Sequence, residues 1–379
     1  MLTRLDRARY HAQHGLLLML LGPYMGAWHR LLRRDLPRPS RRELGVLRAR
    51  LADLLARDLA NVERGIYPRD LLFRLPAREA LRQLPELLGE PPRVLWRILR
   101  KAHAELPAEV DLGRFPRYYR RTFHWQSDGW LSRRSAALYD LEVEALFAGT
   151  ADVMRRMALR PLLEHLRALD APRVLDVACG TGRFLRHLLD SLPRTAAVGL
   201  DLSPFYLERA HELLRGGRPV SLVADNAECM PFRRNHFDAA SSVFLFHELP
   251  PAARRRVARE IHRVLAPGAR LVVCDAAQLA DSPELRPFLS AFPMLYHEPY
   301  FKSYLRDDLG GLLAECGFEI ESVEPAFVAR VVVARKPERA ARWVRAVGSA
   351  ASRSPGGSRP GPARAPRPKD PADTPRRGA

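Results

Sequence analysis

Four apolar runs in the middle of this 379-residue chain each end on side chains that can hold a ligand. The first lies in VLDVACGTGRF, Val174 to Phe184; it carries Asp176 and drops into a turn made of Ala178, Cys179, Gly180, Thr181 and Gly182. About 20 residues past the turn, VGLDLS closes on Asp201 and Leu202, where a carboxylate can accept both hydroxyl protons of a ribose. VADNAECMPF closes on Asp225 and Asn226, which suit an exocyclic amine, with the Ala227 backbone beside them. FDAASSVFLFHELPP leads to Phe244, Phe246, His247 and Glu248.

Glycines directly after a strand let backbone approach a ligand at the carboxyl end of a sheet. A dinucleotide would need a small residue three positions after Gly182, and Leu185 stands there, so a pyrophosphate ligand is disfavoured. S-adenosylmethionine has no phosphate and asks instead for room, a carboxylate and a polar group, in the order found. The string resembles the class I S-adenosylmethionine-dependent methyltransferases over roughly residues 170–335, including HRVLAPGARLVVCD. Within them it is most similar to the small-molecule branch that includes quinone and sterol methylases. The resemblance implies a Rossmann-like, doubly wound α/β fold and a cofactor site built from the residues named above, Asp176 to Gly182, Asp201, Leu202, Asp225 to Ala227, and Phe244. The family pattern reads Asp-x-Gly-x-Gly-x-Gly, so Ala178 departs at the first glycine; its methyl group asks for an ordinary backbone conformation and a wider approach. In the third segment the polar contact falls on either Asp225 or Asn226. FHELPP, YHEPYFKSY and FHWQSDGWLS are also similar to a group of uncharacterised bacterial and plant methyltransferase-like proteins.

Methyl transfer from a sulfonium is an in-line displacement that asks the protein chiefly for alignment. Where the acceptor must lose a proton, His247 is the candidate base, oriented by Glu248 if neighbouring side chains do not diverge; the alternative is a histidine bonding a loop carbonyl. FHELPP is not the Asn/Asp-Pro-Pro-aromatic motif of exocyclic-amine methylases. No cysteine follows a proline for pyrimidine carbon-5 chemistry, and no paired-glutamate loop of protein arginine methylases is found. A small, lipophilic acceptor remains. The segment Pro287 to Leu309 is dense in aromatics and can roof a pocket, with Tyr296, His297 and Tyr300 as its contacts and Glu298 beside them. A second reading is a weakly catalytic protein of this fold that docks RNA or an anionic membrane through its basic ends.

The elements that must position these groups alternate after Pro172: seven strands, RVLDVA, AAVGLD, VSLVAD, FDAASSVF, ARLVVCDA, FEIESVE and FVARVVVARK, mostly with helices between, as in a mostly parallel sheet. Upstream, residues 41–170 read as a helical module and cap: short helices punctuated by Pro68, Pro76, Pro85, Pro91 and Pro92, then RFPRYYRRTFHWQSDGWLS, then one long helical stretch from Ser135 to Leu166. The aromatics of that middle segment form a cap, line a pocket or make core. The methyltransferase-like domain spans 171–337, and a Pro/Gly/Arg-rich tail, 346–379, reads as disordered.

The net charge of +19 belongs to the ends, since Arg173 to Arg335 is balanced at 20 basic and 20 acidic side chains. Only four basic residues are lysine, a bias that GC-rich coding produces, so nucleic acid is not an expected partner. The four cysteines are far apart, with no cluster at metal-ligand spacing, so reduced thiols, a cytoplasmic setting and no metal are expected. GLLLMLLGPYMGAW, Gly15 to Trp28, is short for a membrane span and reads as a buried helix or, with its flanking arginines in 15–34, as a peripheral membrane contact.

Overall fold

The computed structural model describes residues 2–32, 40–73, 77–100, 102, 105–147, 149–216 and 219–338. The tail at 346–379 lies outside them. Seven strands form one sheet: β1 Arg173–Val177, β2 Ala196–Asp201, β3 Val220–Ala224, β4 Phe237–Val243, β5 Leu265–Ala276, β6 Glu319–Ala326 and β7 Ala329–Arg335. Their order is β3-β2-β1-β4-β5-β7-β6, parallel except that β7 runs antiparallel to β5 and β6. The chain leaves β1 towards β2 on one side and returns to β4 on the other. That reversal opens a crevice at the carboxyl ends of β1 and β4, where such sheets bind ligands.

The helices are α1 Arg4–Leu32, α2 Arg41–Glu63, α3 Ala77–Arg100, α4 Arg133–Leu146, α5 Ala151–Leu166, α6 Arg183–Ser191, α7 Pro204–Leu213, α8 Pro251–Val264, α9 Arg286–Leu295, α10 Phe301–Tyr304 and α11 Leu309–Glu315. Alternation along the strands sends side chains to opposite faces. Val174, Ala239, Val272 and Val331 pack with α5 and α6, whereas Leu175, Ala240, Leu271, Val273 and Val332 pack with α8 and α11.

Three upstream expectations change. The helix α3 runs through Pro85, Pro91 and Pro92, which do not end it. Each proline removes one backbone hydrogen bond, and the remaining ladder carries the helix. The stretch expected as one helix is two, because the Glu144 carboxylate turns back to accept the first amides of α5, from Ala151 at 3.2 Å and Asp152 at 2.8 Å. A carboxylate on a helix N-terminus satisfies amides that have no partner within the helix. The boundary drawn at residue 170 is also no boundary in the packing. Leu54, Leu59 and Tyr67 from the upstream module share one core with α5 and the sheet residues Val174 and Val272.

In α1, Tyr10 and His14 are buried, while Leu16, Leu18 and Met19 of the apolar run are exposed; side chains from Leu20 to Leu32 lie outside the description. The run is therefore not wholly a buried helix. Among the described residues no helix is long and apolar enough to cross a membrane.

Asp58 of α2 holds the upstream helices to α5. It is fully buried, accepts Arg156 Nε at 2.9 Å and Nη2 at 2.5 Å, and accepts the hydroxyls of Tyr10 and Tyr67 at 2.7 and 2.5 Å. Burial alone would raise its pKa, but the Arg156 charge and these donors hold it below the usual carboxylate value. Removing one partner of a buried ion pair leaves the other uncompensated. Asp58→Ala should lower unfolding stability by about 3–5 kcal/mol in a urea titration; a loss under about 1 kcal/mol would remove Asp58 as the anchor.

Candidate active site

The turn after β1 is left-handed at three of its five residues: φ is +57° at Ala178, +54° at Gly180 and +78° at Gly182. Ala178 therefore does not adopt the ordinary conformation expected of it. The turn is fixed by bonds to its neighbours, Cys179 N–H to Leu200 O at 3.0 Å and Gly180 N–H to Asp201 Oδ2 at 2.8 Å, and these impose the sign of φ on the alanine. A Cβ on Gly180 would meet nothing closer than Tyr206 Cδ1 at 4.0 Å, so this backbone is open to the cavity. A Cβ on Gly182 would lie 3.0 Å from Leu214 and 3.1 Å from Ala210, which shows how closely α6 starts against α7.

Ala178, Gly180, Asp201 and Leu202 line one cavity, together with Asp225, Asn226, Ala227 and Phe244. Asp201 Oδ1 accepts Ser203 N–H at 2.8 Å, so each of its oxygens carries one backbone donor and keeps a lone pair. Burial pushes its pKa up to about 6 despite those donors. Asn226 Oδ1 is committed to the Glu228 amide at 2.9 Å, while Asp225 Oδ1 accepts the Asn226 amide at 2.7 Å.

The other four residues expected at the site, Asp176 of β1 and three of the turn, stand behind the cavity. Asp176 is buried beneath the turn, accepts Ser241 Oγ–H at 2.8 Å, and is pushed by burial to a pKa of about 7. Cys179 packs with Leu185, Leu189 and Leu207, in the space that Gly199 leaves on β2. Thr181 donates to Asp140 Oδ1 at 2.8 Å and so ties the turn to α4, and Gly182 caps α6.

Tyr118, Tyr119, Trp130, Tyr139 and Tyr206 line the same cavity. The first three come from the aromatic segment upstream, which is a cap. Trp130 stacks on Phe123 with centroids 4.1 Å apart and tilts against Tyr119 at 5.1 Å. Ser203 Oγ–H donates to Trp130 O at 2.6 Å, and Ser135 bonds the Tyr206 hydroxyl at 3.0 Å, so the cap is pinned to α7. Density of aromatics marked this segment in the sequence; nothing local showed which rings would face the cavity.

His247, Glu248, Tyr296, His297 and Tyr300 do not line the cavity. Tyr300 meets it through Tyr118, edge to face at 6.3 Å, and Tyr296 packs on Phe292 at 4.7 Å. The His297 carbonyl accepts the His124 amide at 3.2 Å. His247 lies one layer behind Phe244, its ring centroid 6.3 Å away. Its main partner is Asp275, at the end of β5, with Nδ1 to Oδ1 at 2.6 Å; Glu248 Oε1 is 3.4 Å from Nε2, so the neighbouring side chains converge. Burial disfavours the charged imidazole, but Asp275 and Glu248 overcome it and raise the pKa well above the usual histidine value. A ring held protonated in this way is a poor proton acceptor. Glu248 also reaches His124, Oε1 to Nε2 at 2.8 Å, and His124 Nδ1 lies 3.1 Å from Glu298 Oε1. Burial pulls the His124 pKa down, yet the two carboxylates carry it to about 10. Asp275 and His124 were missed in the sequence. Asp275 closes its strand on an acid as β2 does, a signal that was available; His124 is far from its partners in the chain, and no spacing reveals it.

A methyltransferase-domain family model matches residues 174–268, which hold the turn and the ends of β2, β3 and β4. The chain is 31% identical over 158 residues to an uncharacterised methyltransferase of Synechocystis, covering 42% of this chain and 72% of that protein. It is 34% identical over 181 residues to a demethylmenaquinone methyltransferase of Thermus thermophilus, covering 47% and 74%. A demethylmenaquinone methyltransferase of Thermotoga maritima is 34% identical over 142 residues, covering 38% of this chain and 58% of its own. The chain belongs to the class I methyltransferases. This methyltransferase uses S-adenosylmethionine, and its open turn, its Asp201 with spare acceptor capacity and its phosphate-free polar set fit that cofactor. The aromatic cap, the insert carrying Glu298, and Asp275 all lie outside the matched segment.

An alanine in the left-handed region costs roughly 1–2 kcal/mol, part of which glycine gives back through its freer unfolded chain. Ala178→Gly should therefore stabilise the methyltransferase by about 1 kcal/mol, read as a higher urea midpoint at unchanged slope. A lower midpoint would show that Ala178 is not strained.

Proposed function

We propose that this methyltransferase transfers the cofactor's methyl group to a small lipophilic acceptor held beneath the aromatic cap. The observation that carries this reading is the mixed lining of the cavity, polar residues after the strand ends together with the rings of Tyr118, Tyr119, Trp130 and Tyr139. The names of two relatives agree with it, both being demethylmenaquinone methyltransferases. The bound cofactor supplies an activated methyl group on a sulfonium.

The chain's own residues bind and align. Asp201 accepts the ribose hydroxyls through its spare lone pairs, Asp225 takes the adenine amino group with its second oxygen, whereas the single amide oxygen of Asn226 already accepts the Glu228 amide, and the open Gly180 backbone faces the amino-acid end. Apolar Val243, Leu245 and Leu249 floor the cavity, and the cap keeps water out. His247, held protonated, acts by positioning Phe244 and the end of β4, with no proton abstraction assigned to it.

Two measurements test this. Asp201→Ala, checked for folding, should bind S-adenosylhomocysteine more weakly by roughly 1–3 kcal/mol, and wild-type affinity should fall about tenfold from pH 7 to pH 5 as the Asp201 carboxylate, with its pKa of about 6, takes up a proton. Labelled methyl should pass to aromatic or isoprenoid quinols and not to hydrophilic amines. Unchanged affinity in the variant would refute the Asp201 assignment; transfer only to hydrophilic amines would refute the lipophilic acceptor.

A further inference from the structure

His124 of the cap, Glu248 after β4 and Glu298 of the insert come from three distant segments, and one ligand atom of each lies within 4.8 Å of the other two. Glu248 and Glu298 are 6% and 3% exposed. Burying two carboxylates side by side is costly unless their oxygens are paired. Yet Glu298 Oε1 and Oε2 and Glu248 Oε2 have no hydrogen-bond partner, and neither has His124 Nδ1. Nδ1 stands 3.1 Å from Glu298 Oε1 without the alignment to donate to it. Two atoms so close and so misaligned are placed to share a third. With bonds of about 2.1 Å to one ion, adjacent ligand atoms sit roughly 3.0–3.4 Å apart. The other ring nitrogen, Nε2, is 2.8 Å from Glu248 Oε1, so the Glu248 oxygen left for the ion is Oε2, which has no partner.

The backbone points the same way. His124 holds φ +54° and ψ +17° inside a single turn of 3-10 helix, a strained setting for a histidine, and its amide is latched to the His297 carbonyl beside Glu298.

We propose that His124, Glu248 and Glu298 bind one first-row divalent ion, Mn2+, Fe2+ or Zn2+. One imidazole with two carboxylates and no sulfur suits these ions better than Cu+, which prefers thiolate, or Ca2+, which prefers an all-oxygen cage. The ion joins the insert to the cap and to the loop after β4, two pieces that line the cofactor cavity. Three protein ligands leave coordination positions for water or an oxygen of the acceptor, and the quarter-exposed His124 side chain gives an entry path. The inference goes beyond the acceptor assignment and stands on different residues.

Full-length protein stripped with chelator and titrated calorimetrically with MnCl2, and separately with ZnCl2, tests it. One ion per chain should bind, at least about tenfold more weakly in Glu298→Gln and in His124→Gln, and the ion should raise the thermal midpoint of the wild type and not of the variants. Glu298→Asp replaces Glu298→Gln if the latter does not fold. Asp201→Ala should keep the ion affinity while binding S-adenosylhomocysteine more weakly, which separates failure here from failure of the cofactor site. No saturable site in the wild type, or undiminished affinity in the folded variants, overturns the proposal.

Discussion

The site depends on one buried carboxylate. Asp201 ends β2 and accepts two amides, Gly180 N–H from the turn after β1 and Ser203 N–H from the entry to α7, each at 2.8 Å. A turn with φ positive at Ala178, Gly180 and Gly182 would otherwise leave an enclosed donor unsatisfied, at a cost of about 1–3 kcal/mol. The same carboxylate keeps acceptor capacity facing the cavity. Structure and binding therefore draw on the same group, and burial holds it near the edge of ionisation, at about 6.

The helices before the sheet are part of the site's scaffold. Along one face α5 packs against β4, β5 and β7, and it is tied upstream by Arg156 to Asp58 and through Asp152 to Arg183 at the start of α6. Arg155 lies between Glu144 and Asp152 and its guanidinium faces the Phe244 ring at 6.0 Å. Burial together with the Asp152 charge pushes the Glu144 pKa up to about 7. Buried charge of this kind costs desolvation and returns a defined geometry. Here that geometry sets the turn, the first residues of α6 and the Phe244 wall relative to one another.

In the cap, packing is aromatic and the ties are hydrogen bonds to α7. Trp130, Tyr119 and Phe123 stack among themselves, and Ser203 and Ser135 fasten them to α7. The polar lining belongs to the segment that the family model matches, residues 174–268, whereas Tyr118, Tyr119, Trp130 and Tyr139 come from segments outside it.

What the sequence by itself determined was the sheet and the polar residues that line the cavity. Seven strands were legible because a strand's alternation and its closing turn are local, and each acidic or amide group at the end of β2 and β3 stood where chain spacing put it. Tertiary structure alone decided the rest. Ala178 is left-handed because Leu200 and Asp201, more than 20 residues away, hold the flanking amides. The helix from Ser135 breaks because Glu144 finds the amides of Ala151 and Asp152, and α3 continues past prolines that were expected to end it. His247 finds Asp275, and His124 finds Glu248 and Glu298, across separations that carry no periodic signal. Spacing along a chain reports neighbours on one element; contacts between elements depend on how the faces pack, and there the chemistry of the roof was settled.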